Sequence, residues 1–219
     1  MLALVAGLGL LAAAAAAAGS TPPRRYTAAD QALARSLVLR QSDLGSASLW
    51  PGGMKKPDTS AAPSCPGYHP DESDLPITGD AESAYSNQAA GVEYDSEAQI
   101  LQTAKMVQLD WQRSVQPGLI PCLRSTLKKG LSSSETLVSV RRISVPKIST
   151  FTAEYRIVFD VHRTTAPKTV PLMTDILFLG RDRAEITLTT TAPYVERAPV
   201  EQSELRLARI LVARIPTTA

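Results

Sequence analysis

The stretch from Thr150 to His162 constrains this chain more than any other. Phe151, Ala153, Tyr155, Ile157, Phe159 and Val161 alternate with Thr152, Glu154, Arg156, Val158, Asp160 and His162. A period of two sustained over this length is an extended strand, because side chains point alternately to opposite sides only there. One side of the strand is apolar and the other mostly polar. Such a strand needs partners on its edges and a second layer over its apolar face.

The partners can be read along the chain. Strand-like runs cover Glu135 to Val145, Thr169 to Leu179 and Ala184 to Ala192, the last two joined by a tight return at Gly180-Arg181-Asp182-Arg183. Upstream, Asp80 to Ser86 and Val92 to Ile100 read as a hairpin around Asn87-Gln88-Ala89-Ala90-Gly91. Covering helices are also present. Thr27 can cap a helix from Ala28 to about Arg40 with Leu33 and Leu37 on one face. Ala104, Val107, Trp111 and Val115 make a stripe, Pro117-Gly118 breaks it, and Leu119, Cys122, Leu123, Thr126 and Leu127 make a second stripe before Gly130. Pro199 opens a last helix to about Ile215, with Leu205, Ala208, Val212 and Ile215 inward and Leu207 and Leu211 as a further apolar line. Short links between consecutive strands imply antiparallel pairing. The expectation is an α+β fold: an antiparallel sheet of about six strands covered by helices, in a single domain over residues 28–215.

Residues 41 to 78 interrupt this regularity with Gly45, Gly52, Gly53 and six prolines, and read as a long loop, a kind of segment that usually carries function. Residues 19 to 27, with Pro22 and Pro23, read as a linker. Ahead of it, residues 1 to 18 carry no charge and end in small residues at Ala16 and Ala18, as an export signal cleaved near Ala18 would. The basic start of such a signal is missing, and a short membrane anchor is the alternative. Two cysteines, Cys65 and Cys122, lie 57 positions apart (122 − 65). In an exported chain two cysteines make one bridge; two free thiols in a reducing compartment is the other reading. Zinc is not expected, because His69 and His162 have no ligand spacing to either cysteine.

Charge narrows the function classes. Net charge is +2, yet residues 61 to 100 carry eight acids and no Lys or Arg, which leaves +10 on the rest. The basic residues are scattered over several elements with few aromatics between them, so nucleic acid is not an expected partner. Arg206, Arg209 and Arg214 on the last helix would permit contact with an anionic membrane surface, but a solvated face with the arginine stems lying on apolar surface is the expectation. Asp71-Glu72-Ser73-Asp74 with Asp80 clusters carboxylates suited to calcium, but without an EF-hand register it reads as a solvated loop. His162 falls on the polar face of the best strand and His69 in the Pro-rich loop, and no nucleophile, phosphate-loop or zinc-protease motif occurs. A non-enzymatic, monomeric domain with no cofactor and no metal is the expectation.

Ser42-Asp43-Leu44-Gly45 followed by Trp50, Ser64-Cys65-Pro66, the Leu75/Gly79/Ala81 approach to the first strand, Trp111 and Pro121-Cys122-Leu123, in this order of strands and helices, resemble the secreted and lipoprotein sensor-type domains of actinobacteria. These include the extracellular domain of PknH-type kinases and LpqN-type lipoproteins, on a PsbP-like α/β/α sandwich. The resemblance covers roughly residues 28 to 215. Where those kinase domains use two disulfides, this chain can make only one. The resemblance implies a cleft between sheet and helices for an apolar or amphipathic small molecule or a cell-envelope component. Trp111, Tyr155 and Phe159 are the aromatic candidates to line it, with plain core packing as the alternative role. The competing function is a protein-interaction module whose contact surface is the acidic loop 41 to 78.

Overall fold

The structure, a computed structural model, describes residues 21–59, 64–162 and 169–216; the apolar segment 1 to 18 lies outside them. Thr150 to His162 contains the strand β5, Phe151–Val161, in a seven-stranded antiparallel sheet. Its companions are β1 (Gly52–Lys55), β2 (Ile77–Asn87), β3 (Val92–Leu101), β4 (Glu135–Ile143), β6 (Val170–Arg181) and β7 (Ala184–Pro193). The order across the sheet is β1-β2-β3-β7-β6-β5-β4, so the β2–β3 hairpin docks on the β4–β7 meander along β7. Helices α1 (Ala28–Leu37), α2 (Gln41–Leu44), α3 (Ala104–Ser114), α4 (Leu119–Gly130) and α5 (Arg197–Ala213) complete the α+β fold.

Two elements differ from the sequence reading. The loop 41 to 78 contains β1, which adds a seventh strand where about six were expected. Gly52-Gly53-Met54-Lys55 has no alternation to betray it, and β1 is held by backbone pairing to β2. Only glycine fits at position 52, where φ is 151° and a Cβ would overlap the Ala84 carbonyl. Helix α1 stops at Leu37 rather than Arg40 because Val38 turns extended. Leu39 then crosses the sheet, its amide donating to Ser96 Oγ at 2.8 Å and its carbonyl accepting from Ser83 Oγ at 2.9 Å. Both Val38 and Leu39 are buried, so continuing the helix would lose more apolar contact than it gained in backbone bonds.

Helices α1 and α5 lie on one face, α1 over β2 and β3 and α5 over β6 and β7. Close approach of α1 depends on Gly79, where a Cβ would overlap the Asp30 carbonyl. On the other face α4 packs over β4 and β5 through Leu119, Cys122 and Leu123, and α3 lies over β6. The polar side of β5 does not face water. Glu154 and Arg156 are each 2% exposed, covered by α5. Arg156 grips Asp175 of β6 through two bonds of 2.7 and 2.6 Å and reaches Glu201 of α5 at 2.7 Å. Burial alone would depress this guanidinium, but Asp175 and Glu201 hold its pKa above the ordinary value. Beside them Glu204 of α5 accepts from Thr190 at 2.9 Å and is pushed well up by burial. The inward line of α5 is thus Val200, Glu204, Leu207, Ala208, Leu211 and Val212, continued by Ile215 after the helix; Ala208, Val212 and Ile215 are buried as the sequence implies, and Leu205 is only half-buried.

Removing the cation of this cluster strands buried carboxylates. Arg156→Met should lower unfolding free energy by about 3–5 kcal/mol, read from the denaturant midpoint. Arg209→Met, on the exposed side of α5, should stay within about 0.5 kcal/mol of the parent. Equal effects would mean that α5 does not seat on β5 and β6 as described.

Candidate ligand-binding cleft

The register of β3 and β7 builds the floor of a cleft. Along β3, Val92, Tyr94, Ser96, Ala98 and Ile100 point into the α1/α5 core, which sends Glu93, Asp95, Glu97 and Gln99 to the opposite face. Along β7, Ala184, Ile186, Leu188, Thr190 and Ala192 do the same and leave Glu185, Thr187, Thr189 and Thr191 beside the acids. Next in the sheet, β6 turns Ile176 and Phe178 to this face, opposite Thr189 and Thr187. Polar floor therefore changes to apolar floor between β7 and β6. Over the apolar part stand α3 and α4. α3 reaches the edge of the polar part through Asp110, beside Glu185, and the space between the sheet, α3 and the loop residues Lys56, Asp58, Tyr68, Glu72 and Leu75 is a cleft of about 610 Å³. That volume is within the ordinary range for a small-molecule site.

Trp111, Val115, Leu119 and Leu123 form the apolar wall. Trp111 is half-buried and stacks on Phe151 with ring centroids 5.4 Å apart. Of the three aromatics singled out in the sequence, it is the one that lines the cleft. Tyr155 and Phe159 are 2% and 5% exposed and sit behind that wall, packed with Val140, Ile157 and Leu123, with Tyr155 edge-on to Phe178 at 6.0 Å. Those two serve the core. The loop that makes the outer wall is fastened by the Cys65–Cys122 disulfide, with Cα atoms 5.5 Å apart, and by Arg113 of α3 to Asp74. Tyr68, the buried neighbour of Cys65, donates from its hydroxyl to the Ser114 carbonyl at 2.8 Å.

The floor is crowded with negative charge. Glu82 of β2 stands directly opposite Glu97, a like-charge pairing that costs stability unless a cation intervenes. Lys55 of β1 meets Glu82 at 2.8 Å and Asp95 at 2.6 Å, and Arg24 pairs with Asp80. Glu97, Asp110 and Glu185 form no ion pair with a basic side chain among the described residues. Burial first, then the charges of Asp80 and Glu82, push the Glu97 carboxyl up to about 7 despite help from the Gln99 hydrogen bond. Glu72 reaches about 7 through burial and the charge of Asp110. Burial, and then the charge of Asp110, push Glu185 well above the ordinary range, and the two carboxyls share a hydrogen bond. Asp110 itself is raised by burial, and Ser114 donates to it at 3.0 Å. Of these acids only Glu72 belongs to a cluster that the sequence singles out. The signal for the others is acids at alternate positions of a strand whose other face is apolar.

Other chemistries are placed elsewhere. The acidic run 71–80 does not gather around a cation site: Asp71 accepts from Ser73, Asp74 pairs with Arg113 and Asp80 with Arg24. Glu154, Asp175 and Glu204 bring carboxylate oxygens within 4.8 Å of one another, but Arg156 is the cation that answers them. Ser64 Oγ lies 2.6 Å from His69 Nδ1, a contact inside the turn at Cys65, with the hydroxyl buried and no carboxylate bonded to the ring among the described residues. His162 Nδ1 is 3.1 Å from Thr169 Oγ1 across the β5–β6 connection. Arg206 and Arg214 of the last helix bind Asp43 and the Val38 carbonyl, which leaves Arg209 exposed. No helix among the described residues is long and apolar enough to cross a membrane. Comparison with protein-family models, with curated proteins and with solved structures returned no match.

The raised carboxyl of Glu97 makes stability depend on pH. Its ordinary value is 4.5 and its folded value about 7, so the fold favours the protonated form. The associated stability is complete below the ordinary value and is lost as pH rises through the folded one. Glu97→Gln should therefore match the parent near about pH 4 and exceed it by ~1–2 kcal/mol near about pH 8, after allowance for partial exposure. Denaturant titrations across this window read the difference. A pH-independent difference would place Glu97 in solvent rather than in the cleft.

Proposed function

We propose that this chain is an exported, non-enzymatic binding module that takes an amphipathic small molecule in the cleft between β3, β7 and α3. The observation that carries the reading is the division of one cleft into an apolar wall at Trp111, Val115, Leu119 and Phe178 and a polar floor of acids and threonines. Pockets for small molecules combine apolar lining with a few polar groups that fix orientation. The disulfide supports a life in an oxidising compartment. Export also agrees with the uncharged segment 1 to 18 and with the resemblance to exported sensor-type domains. The acidic loop as a protein-contact surface draws less support, because Asp71 and Asp74 are engaged within the domain and the loop serves as a wall.

Trp111 reports on the cleft directly. In a Trp50→Phe background, titration with a panel of long-chain alcohols, amines, fatty acids and glycolipid fragments should shift Trp111 emission to the blue for at least one class. Trp111→Ala should then raise the Kd of that ligand by about tenfold, as loss of one aromatic contact does. Unchanged emission with every class would remove the reading and favour the loop as an interaction surface.

A further inference from the structure

The cleft's two halves ask for a ligand of one charge type. Resting on the reading of this cleft as an amphiphile site, we propose that its ligand class is a cationic amphiphile, an alkyl or aryl body carrying a primary ammonium group. The apolar body would lie against Trp111 and Phe178 and the ammonium against the acids of the floor.

Four carboxyls converge on one part of the cleft from four segments: Glu97 from β3, Glu185 from β7, Asp110 from α3 and Glu72 from the loop. Glu97 and Glu185 are diagonal neighbours in the ladder, since Glu185 pairs with Gln99 and Glu97 with Thr187. The acids are close enough that Glu185 responds to the charges of Asp110, Glu72 and Glu97. On the same face, Asp80 is 4% exposed, and its Oδ1 accepts no hydrogen bond, while Oδ2 is held by Arg24.

The α5 side of the sheet provides the contrast. There, a comparable set of buried carboxylates encloses the guanidinium of Arg156. In the cleft, Lys55 is committed to Glu82 and Asp95 and Arg24 to Asp80, and Lys56, the further basic residue of the lining, is exposed; none of the three forms an ion pair with Glu97, Asp110 or Glu185 among the described residues. Gathering acids at half-buried positions next to an apolar wall costs stability in the empty cleft. A ligand ammonium placed among them would offer three donors and a positive charge, which favours the carboxylate form of each acid, its proton going to solvent. A carboxylate ligand would add a further acid to the set and gain from these groups less than an ammonium does, and an alcohol would leave the acids as they are.

Calorimetric titration of the whole domain at about neutral pH with decylammonium chloride, decanol and decanoate tests this. Decylammonium should bind about tenfold or more tighter than decanol, and decanoate weakest. Glu97→Gln and Glu185→Gln should each weaken decylammonium by about fivefold or more while leaving decanol within about twofold, which also shows that the variants remain folded. Decanol equal to decylammonium, or decanoate tighter than either, overturns the cationic assignment and leaves the cleft an amphiphile site. Should none of the three probes bind, the amphiphile reading falls with it. The ranking of the three probes is measured on the unaltered protein and so stands whether or not either variant folds.

Discussion

Coverage of the sheet is the constraint from which the rest of this structure follows. Neighbouring strands lie about 4.8 Å apart, so seven of them span roughly 30 Å, whereas two helices side by side cover about 20 Å. Each face of this sheet carries two main helices, and each therefore leaves part of its width bare. The α1/α5 face leaves the β4 edge, where Val138 stands 56% exposed. The α3/α4 face, shifted toward β4, leaves β2 and much of β3 and β7, and the loop tied down through Cys65 and Cys122 stands over that gap without filling it. An uncovered strip becomes a cleft because a wall is bonded beside it.

Side-chain chemistry follows this division. On the covered face, buried polar residues form closed sets: Ser83 and Ser96 bond one another and Leu39, and Arg156 is enclosed by carboxylates. On the uncovered strip, acids stand at alternate positions of β3 and are only partly answered by Lys55 and Arg24. Water reaching the strip lowers the cost of each charge, yet the walls keep it high enough to lift Glu72 and Glu97 to about 7. Glu97, Asp110 and Glu185, which form no ion pair with a basic side chain among the described residues, stand next to an aromatic wall, and this separates the site from the cluster around Arg156.

Much of the fold is legible in the sequence because it rests on local periodicity. The α3–α4 break at Pro117-Gly118, the hairpin at Asn87–Gly91 and the alternation of β5 each announce themselves within a dozen residues. Strand β1 does not, since Gly52 and Gly53 carry no side chain to alternate and its register is borrowed from β2. The disulfide is legible from the cysteine count and the expectation of export. The site is legible in part: Trp111 lies on a stripe and lines the cleft, whereas Tyr155 and Phe159 share an apolar strand face with no local sign of which part α4 would cover. The acids of β3 read as a charge imbalance and not as a floor, because only the pairing of β3 with β7 sets them beside Glu185, far away in sequence. Likewise the polar side of β5 has the pattern of a water-facing surface, and it is α5, from the other end of the domain, that covers it.

The proposed ligand lies on the strip of β3 and β7 beside Trp111, and amide chemical-shift mapping of the isotope-labelled domain during titration with decylammonium chloride tests that strip residue by residue. Shifts should concentrate at Glu93 to Gln99, Glu185 to Thr191 and the Trp111 indole, with the α1/α5 side, including Leu37, Ala208 and Leu211, unmoved. Shifts centred on the α1/α5 side, or spread evenly over the surface with no cluster at these strands, would contradict this placement.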